Sequence, residues 1–128
     1  LYGQRPNSLG VDLACVAMRA PLLAAIATEQ LEPAAMDAVQ AVDETMRRLH
    51  AGWPGWQARP LAERAALLRR AADELEARLP EFCALLVKEA HKTLGDCVAE
   101  VREAVDFCRY YALLAEDRLA DRHSVEMG

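Results

Sequence analysis

The residues that could do chemistry are few and lie far apart along the 128-residue chain. Four cysteines could supply a nucleophile or metal ligands, and three histidines could supply a base. The cysteines are Cys15, Cys83, Cys97 and Cys108, and the histidines are His50, His91 and His123. No C-x-x-C spacing occurs, and the histidines share no ligand spacing. We therefore expect buried free thiols, surface or turn histidines, and no metal site.

Acidic side chains offer an acid–base pair and a carboxylate cluster. Glu89 and Lys92 stand three residues apart near a helix end, where a surface ion pair worth about 0.3–0.5 kcal/mol is expected. Glu100, Glu103 and Asp106 could suggest metal ligation, but no inward-facing histidine accompanies them. A solvated helix face is the favoured interpretation. The sequence thus assigns no catalytic, cofactor-binding or metal-binding residue to this chain.

Aromatic and thiol pairs complete the set of candidates. Trp53 and Trp56 could bind a ligand, but we favour a role in which their rings anchor a loop to the core. Tyr110–Tyr111 fits packing with one interface hydroxyl better than a stacking platform. Cys97 and Cys108 are separated by about 16 Å of helix rise, which excludes a disulfide between them within one straight helix.

Composition limits the partners that the chain can have. The net charge is −5, from 15 basic and 20 acidic residues, and this balance disfavours a nucleic-acid partner. No apolar run approaches the roughly 20 residues of a membrane span. The first ten residues are polar and contain Pro and Gly, unlike a signal peptide. We expect a cytoplasmic location.

The positions of these residues depend on helices. Apolar residues recur in steps of three and four, and no stretch has the length and alternation of a β-strand. The predicted helices lie near 12–30, 34–51, 60–79, 81–92 and 94–122. The fold class is therefore all-α, a compact antiparallel bundle of about five helices. Residues 1–10 form an extended N-terminal segment, residues 11–122 a single helical domain, and residues 123–128 a frayed tail.

Local signals mark the helix ends. Asp12 could cap the first helix, and Pro21 should kink or restart it. Gly52-Trp53-Pro54-Gly55-Trp56 predicts a loop whose two rings pack back on the bundle. Thr93 and Asp96 have the spacing of a capping box that starts the last helix. Charged residues of the third helix (Glu63, Arg64, Arg69, Arg70, Asp73 and Glu74) occupy the face opposite its apolar seam.

Several segments resemble the aldehyde dehydrogenase family. Trp56–Asp73 contains a tryptophan followed by a P-x-x-E-R-A-x-x-L-x-x-A-A-D helix, and Leu85–Leu94 is similar to the pattern L-x-x-x-E-x-G-K. Ala99–Ala112 reads A-E-V-R-E-A-V-D-F-C-R-Y-Y-A. This sequence resembles the pyrroline-5-carboxylate dehydrogenase half of the bifunctional proline-utilisation flavoproteins of the PutA type. Leu1–Leu13 looks like the stretch that leaves the proline dehydrogenase barrel of those proteins.

The resemblance implies a large α/β parent enzyme. In such an enzyme FAD sits in a separate barrel that oxidises proline, and NAD binds a Rossmann-type domain. The semialdehyde is oxidised to glutamate through a cysteine thiohemiacetal. The family nucleophile belongs to a later segment, and no G-x-G-x-x-G loop occurs here. We therefore expect a structural, non-catalytic helical fragment without a cofactor, whose partner is the remainder of the parent or a second copy bound through apolar helix faces.

Two departures from the family pattern accompany this resemblance. The family has glycine where His91 stands, and glycine would end the helix in a left-handed conformation that histidine tolerates less well. The family also inserts a strand-bearing segment before the tryptophan, for which Thr28–Met36 leaves no room. The alternatives are a stand-alone interaction or dimerisation module and, with least support, a small independent enzyme.

Overall fold

The computed structural model describes residues 5–30 and 39–126. Within these ranges there are five helices and no strand, so the all-α prediction is confirmed. The helices are α1 (Val16–Thr28), α2 (Val39–Gln57), α3 (Leu61–Ala77), α4 (Leu79–Ala90) and α5 (Leu94–Glu126). Over the described residues, none of them is both long and apolar enough to cross a lipid bilayer.

The main core lies where α4 meets α1 and α5. Leu22 of α1 is fully buried against it, and the two thiols of Cys83 and Cys97 are buried beside it. Val98 and Val101 continue the α5 side of the same cluster. The apolar seam that the sequence predicts for the last helix therefore does pack inward.

A second contact joins α3 to α5 along most of the length of α3, and it is built from small residues. Ala65 and Ala72 of α3 and Ala112 and Val105 of α5 each have at most 1% of their surface exposed. Because alanine ends at Cβ, the two backbones approach closely and exclude water. This contact sets the distance between the polar side chains on the two helices.

Two of the predicted helix boundaries follow from their local signals. The chain breaks at Arg78 between α3 and α4, and Pro80 occupies the first turn of α4, where its missing N–H costs little. Thr93 precedes α5, and its hydroxyl oxygen accepts the Asp96 N–H at 3.2 Å. The Thr93 and Asp96 side chains also lie 2.7 Å apart, so the predicted cap is confirmed.

The loop predicted at 52–56 is wrong, because α2 continues through it to Gln57. Pro54 removes only one donor, and α2 is exposed around it and contacts no other described helix, so water can satisfy the free carbonyl. Gly52 and Gly55 do not adopt positive φ, so neither makes a left-handed turn. Trp53 remains 53% exposed, and its ring does not pack back on the bundle as expected.

The first helix is shorter than predicted, and its C-terminal end is held by a hydrogen bond from α4. Asp12 accepts the Ala14 N–H at 2.9 Å in a turn before the helix, instead of capping it. Pro21 lies inside an α1 that stays continuous. At the far end the ammonium of Lys88 on α4 donates to the Glu29 carbonyl. At the other end of the chain, α5 includes residues 123–126 of the expected tail, and residues 127–128 lie outside the described range.

His91 ends α4 in the left-handed region, with φ 53° and ψ 33°. Among the described non-glycine residues it is the one with positive φ. The N–H groups of His91 and Lys92 both donate to the Leu86 carbonyl, which satisfies that end of the helix. The turn therefore has the geometry that the family's glycine would adopt, and histidine holds it with backbone strain.

We predict that His91→Gly stabilises the chain by about 1 kcal/mol, because glycine enters the left-handed region without a Cβ clash. Urea unfolding followed by circular dichroism measures the change. His91→Ala is the control, since it removes the same ring but keeps Cβ and should give no gain. A neutral or destabilising His91→Gly would show that the turn is not strained.

Candidate functional site

Asp106 fastens the N-terminal segment to α5. Its carboxylate accepts the Ser8 N–H at 2.8 Å and the Ser8 hydroxyl at 3.0 Å. Arg5 donates to the Asp106 carbonyl at 2.9 Å, and Ser8 itself is buried. The solvated face expected for Glu100, Glu103 and Asp106 is therefore wrong for Asp106, whose role is to pair with backbone and side-chain donors.

Arg109 extends this polar network to α3. Arg109 is 9% exposed, and its guanidinium donates to Glu76 at 2.9 Å and to Asp73 at 3.0 Å. Glu76 also accepts the Leu9 N–H at 2.7 Å. The hydrogen bond from Arg109 lowers the pKa of Glu76, against the opposing effect of burial. The network therefore depends on an ionised Glu76 carboxylate.

The remaining charged candidates stay near the surface. Lys92 pairs with Glu100 of α5 and not with Glu89, so the ion pair expected at the end of α4 is not formed. Glu103 is exposed on α5. Among the residues that the structure describes, no three carboxylate, thiol or imidazole groups converge on a possible metal position.

The cysteines sit in two environments. Cys83 and Cys97 are buried, and Cys15 and Cys108 are half-buried, all as free thiols. Burial raises the pKa of Cys83 to about 11, with a smaller contribution from the neighbouring Cys97. Burial also raises the pKa of Cys97. These shifts keep both thiols protonated, the opposite of what a nucleophile requires.

The two described histidines are exposed, and the neighbouring tyrosines differ in burial. His50 and His91 are exposed, and the side chain of His123 is outside the described set. The Tyr110 and Tyr111 rings meet edge to face at 5.2 Å. Tyr110 is half-buried beside the Arg5 guanidinium, and Tyr111 is 55% exposed. Tyr111 belongs to an exposed apolar surface, and packing with one interface hydroxyl remains a prediction for this pair.

That surface is a groove of about 710 Å³ between α3 and α5, which we call the α3/α5 groove. Its walls are almost entirely apolar. Its lining is Trp56, Leu61, Arg64, Ala65, Leu67, Leu68, Ala71, Tyr111, Leu114 and Ala115. Interaction sites in proteins commonly have this size and apolar character.

Arg64 is the one charged residue in the lining of the α3/α5 groove. Its position one turn after Leu61 and one turn before Leu68 places it among the apolar side chains of α3. Its Nε is buried and finds no hydrogen-bond acceptor among the described residues. A buried donor without an acceptor is costly, so this position of the Nε group is unfavourable in the part of the chain that the structure describes.

A second apolar surface runs along α2, and we call it the α2 ridge. It consists of Val39, Val42, Met46, Leu49 and Trp53, each more than half exposed. No Cα atom of α2 lies within 8 Å of a Cα atom in another described helix. The apolar face that periodicity predicts for the second helix therefore exists, but it contacts no other described helix.

Sequence reasoning missed the residues that matter most at these surfaces. Arg64 was grouped with the charges opposite the apolar seam, but it lies within the groove. Asp73 and Arg69 of the same group reach across to α5, where Arg69 pairs with Glu116. The sequence signal that could have placed Arg64 in the groove was its position on the third helix between Leu61 and Leu68.

Comparison with known proteins fixes the class. The sequence profile of the aldehyde dehydrogenase family matches residues 20–127. The chain therefore belongs to the aldehyde dehydrogenase family.

Within that family the chain is similar to PutA proteins. It is 47% identical over 75 residues to the bifunctional protein PutA of Escherichia coli (strain K12), a match of 59% of this chain and 6% of that protein. It is 49% identical over 57 residues to 1-pyrroline-5-carboxylate dehydrogenase 2 of Bacillus subtilis (strain 168), covering 44% of this chain and 11% of that protein.

A crystal structure of bifunctional proline utilization A (PutA) aligns with 84% of this chain, with a TM-score of 0.77 and 41% identity. The chain covers 11% of that protein. The predicted PutA-type resemblance is confirmed, and the chain spans about a tenth or less of the length of these relatives.

We predict that Glu76→Gln reduces the pH dependence of stability. The pKa of Glu76 lies below its ordinary value of 4.5, so the carboxylate stabilises the fold above that pH and loses its effect as pH falls through the lowered pKa. Unfolding free energies measured in urea from pH 7 to pH 3 should differ most between the two proteins at pH 7, and the difference should shrink as the pH falls below 4.5.

Glu63→Gln is the matched control, because Glu63 is an exposed carboxylate of the same helix. It should follow the unmodified chain across the series. If the curves for Glu76→Gln and the unmodified chain stay parallel from pH 7 to pH 3, Arg109 does not hold Glu76 in the ionised form.

Proposed function

We propose that this chain is a structural, non-catalytic helical part of a PutA-type enzyme, from the front of its pyrroline-5-carboxylate dehydrogenase half. The observation that carries the proposal is the 84% coverage of the chain by a PutA structure of which it forms 11%. In the parent the reaction is the NAD-dependent oxidation of pyrroline-5-carboxylate, or glutamate semialdehyde, to glutamate. The parent's NAD and FAD are held by other segments, and its location is the cytoplasm.

The chemistry of the thiols supports a non-catalytic role. The reaction needs a thiolate that attacks the aldehyde carbon, and thiolates form where the pKa is lowered by cations or helix N-termini. Cys83 has a pKa raised to about 11, and that of Cys97 is raised as well. Both are enclosed by apolar side chains and have no access to a substrate.

The partner in this proposal is the remainder of the parent enzyme. The α2 ridge and the α3/α5 groove are two exposed apolar surfaces on the same small chain. Surfaces of this kind are covered in a complete domain, because leaving them in water forgoes the free energy of burial. The local role is then to cover a nucleotide-binding domain with helices.

The alternative is a stand-alone interaction or dimerisation module. The observation that favours it is α2, which has an apolar ridge but no described helical neighbour. An independent module would use that ridge for a partner protein.

We predict that the purified chain neither oxidises pyrroline-5-carboxylate with NAD nor binds NAD. NADH formation followed at 340 nm, and calorimetric titration with NAD, test the two parts. The positive control is complete Escherichia coli PutA in the same assays. Turnover by the isolated chain, or a saturable heat with NAD, would contradict a purely structural role.

We also predict that residues 20–127, the part that the family profile matches, can replace the corresponding segment of Escherichia coli PutA. The helix contacts that this chain needs should be supplied by the host, so the graft should keep NAD-dependent activity within about tenfold of the host. The same graft with Ala72→Glu, which places a charge in the α3–α5 contact, is the control and should be inactive. Loss of activity in both grafts would contradict a shared structural role.

A further inference from the structure

Residues 5–9, which we call the 5–9 strap, lie across α3 and α5 and are held there by polar contacts. The Leu9 residue is 69% exposed, and Ser8 is the one buried residue of the strap. Ser8 donates its N–H and its hydroxyl to the Asp106 carboxylate, at 2.8 and 3.0 Å. The strap therefore gains little from apolar burial, and hydrogen bonds to charged acceptors hold it in place.

Two consecutive backbone N–H groups of the strap reach two different helices. The Ser8 N–H donates to Asp106 of α5, and the Leu9 N–H donates to Glu76 of α3 at 2.7 Å. Because the two nitrogens belong to neighbouring residues joined by a planar peptide unit, lifting one from its acceptor displaces the other. The two contacts are therefore expected to break together.

Arg109 links the two acceptors. Its guanidinium donates to Glu76 at 2.9 Å, and it stands one turn after Asp106 on α5. The hydrogen bond from Arg109 lowers the pKa of Glu76, and the hydrogen bond from the Leu9 N–H lowers it further, against the opposing effect of burial. The closed strap and Arg109 therefore stabilise the same ionised carboxylate.

The strap ends at Gly10, after which apolar packing replaces hydrogen bonding. A Cβ atom placed at Gly10 would have no atom within 4 Å apart from those of its chain neighbours, so nothing packs against this position. Val11 and Leu13 are partly buried against the main core. The backbone can therefore change direction at Gly10 while residues 11–13 remain packed.

We propose that the 5–9 strap is a two-point latch, which opens and closes as one unit on helices that stay folded. In the closed state Asp106 and Glu76 hold it on α5 and α3. In the open state the strap is released as far as Gly10, and the two carboxylates accept hydrogen bonds from water instead. Local opening of this kind occurs where a segment has few buried apolar contacts. The inference concerns this chain alone and does not depend on the proposed function.

Hydrogen exchange followed by NMR on the complete chain at pH 7 tests the latch. The protection factors of the Ser8 and Leu9 amides should agree within about fivefold, because one opening exposes both. Both should be at least about tenfold lower than that of the Val101 amide, in the buried part of α5. A larger difference between Ser8 and Leu9 overturns the proposal. Protection equal to that of Val101 also overturns it, because the strap would then open only with the whole fold.

Substitution of one acceptor should loosen both contacts. Glu76→Gln weakens the acceptor of the Leu9 N–H, and Asp106→Asn weakens the acceptor of the Ser8 N–H, since a neutral amide oxygen replaces a charged one. Each substitution should lower the protection of both amides by the same factor, about fivefold or more. A loss confined to the amide whose own acceptor was changed overturns the latch.

Matched controls separate the contacts from the change in net charge. Glu74→Gln and Glu103→Gln neutralise exposed carboxylates of α3 and α5. Both should leave the protection of the Ser8 and Leu9 amides unchanged. An equal loss in either control overturns the proposal, because net charge and not the specific contact would then decide the opening.

Ser8→Ala tests the strap without altering a helix. It removes the hydroxyl that donates to Asp106 and that accepts from the Arg102 Nε at 3.3 Å, but it keeps both N–H groups. The amides of positions 8 and 9 should lose protection by the same factor, whereas the Val101 amide should keep its own. Unchanged protection at position 9 overturns the latch, and so does a parallel loss at Val101.

Discussion

The close contact between α3 and α5 is the constraint on which the rest of the structure depends. Ala65, Ala72 and Ala112 let the two helices approach with almost no exposed surface. At that separation Arg109 of α5 can reach Glu76 of α3, and larger residues in the contact would move these partners apart. The same approach leaves a trough on the outer side of the two helices, so the contact produces both the polar network and the groove.

The polar network links three parts of the chain that are distant in sequence. In the N-terminal segment, the Ser8 N–H donates to Asp106 of α5 and the Leu9 N–H donates to Glu76 of α3. Arg109 connects α5 to the α3 acceptor. The described part of this segment, residues 5–9, is therefore fixed in direction by α3 and α5. Its orientation is set by hydrogen bonds and not by apolar burial alone.

The sequence predicted much of the fold because strong local signals agreed with apolar periodicity. Pro80 and Thr93 fix the starts of α4 and α5 through groups next to them in the chain. The prediction failed at 52–56 because Gly and Pro were read as turn formers, whereas a solvated helix tolerates both. The helical pattern before Gly52 was the better guide, and nothing local indicated that the helix would continue.

The candidate surfaces were harder to predict from sequence than the helices. Periodicity places a residue on a face, but it does not say which other element that face meets. Asp106 was expected in solvent because its partner Ser8 is 98 residues away. Arg64 was expected among solvated charges because the groove exists only once α5 lies beside α3. Both errors come from long-range contacts that no local spacing encodes.

The Lys88 contact to the Glu29 carbonyl has a consequence for how this chain can vary in length. This hydrogen bond joins the C-terminal end of α1 to α4. The next helix, α2, packs against none of the other described helices. Residues added or removed between Gln30 and Val39 thus leave the packed interior in place and alter only where α2 points. Loop extension costs little free energy when its ends are not both constrained. An insertion or deletion between α1 and α2 is therefore a change that the contacts among α1, α3, α4 and α5 tolerate.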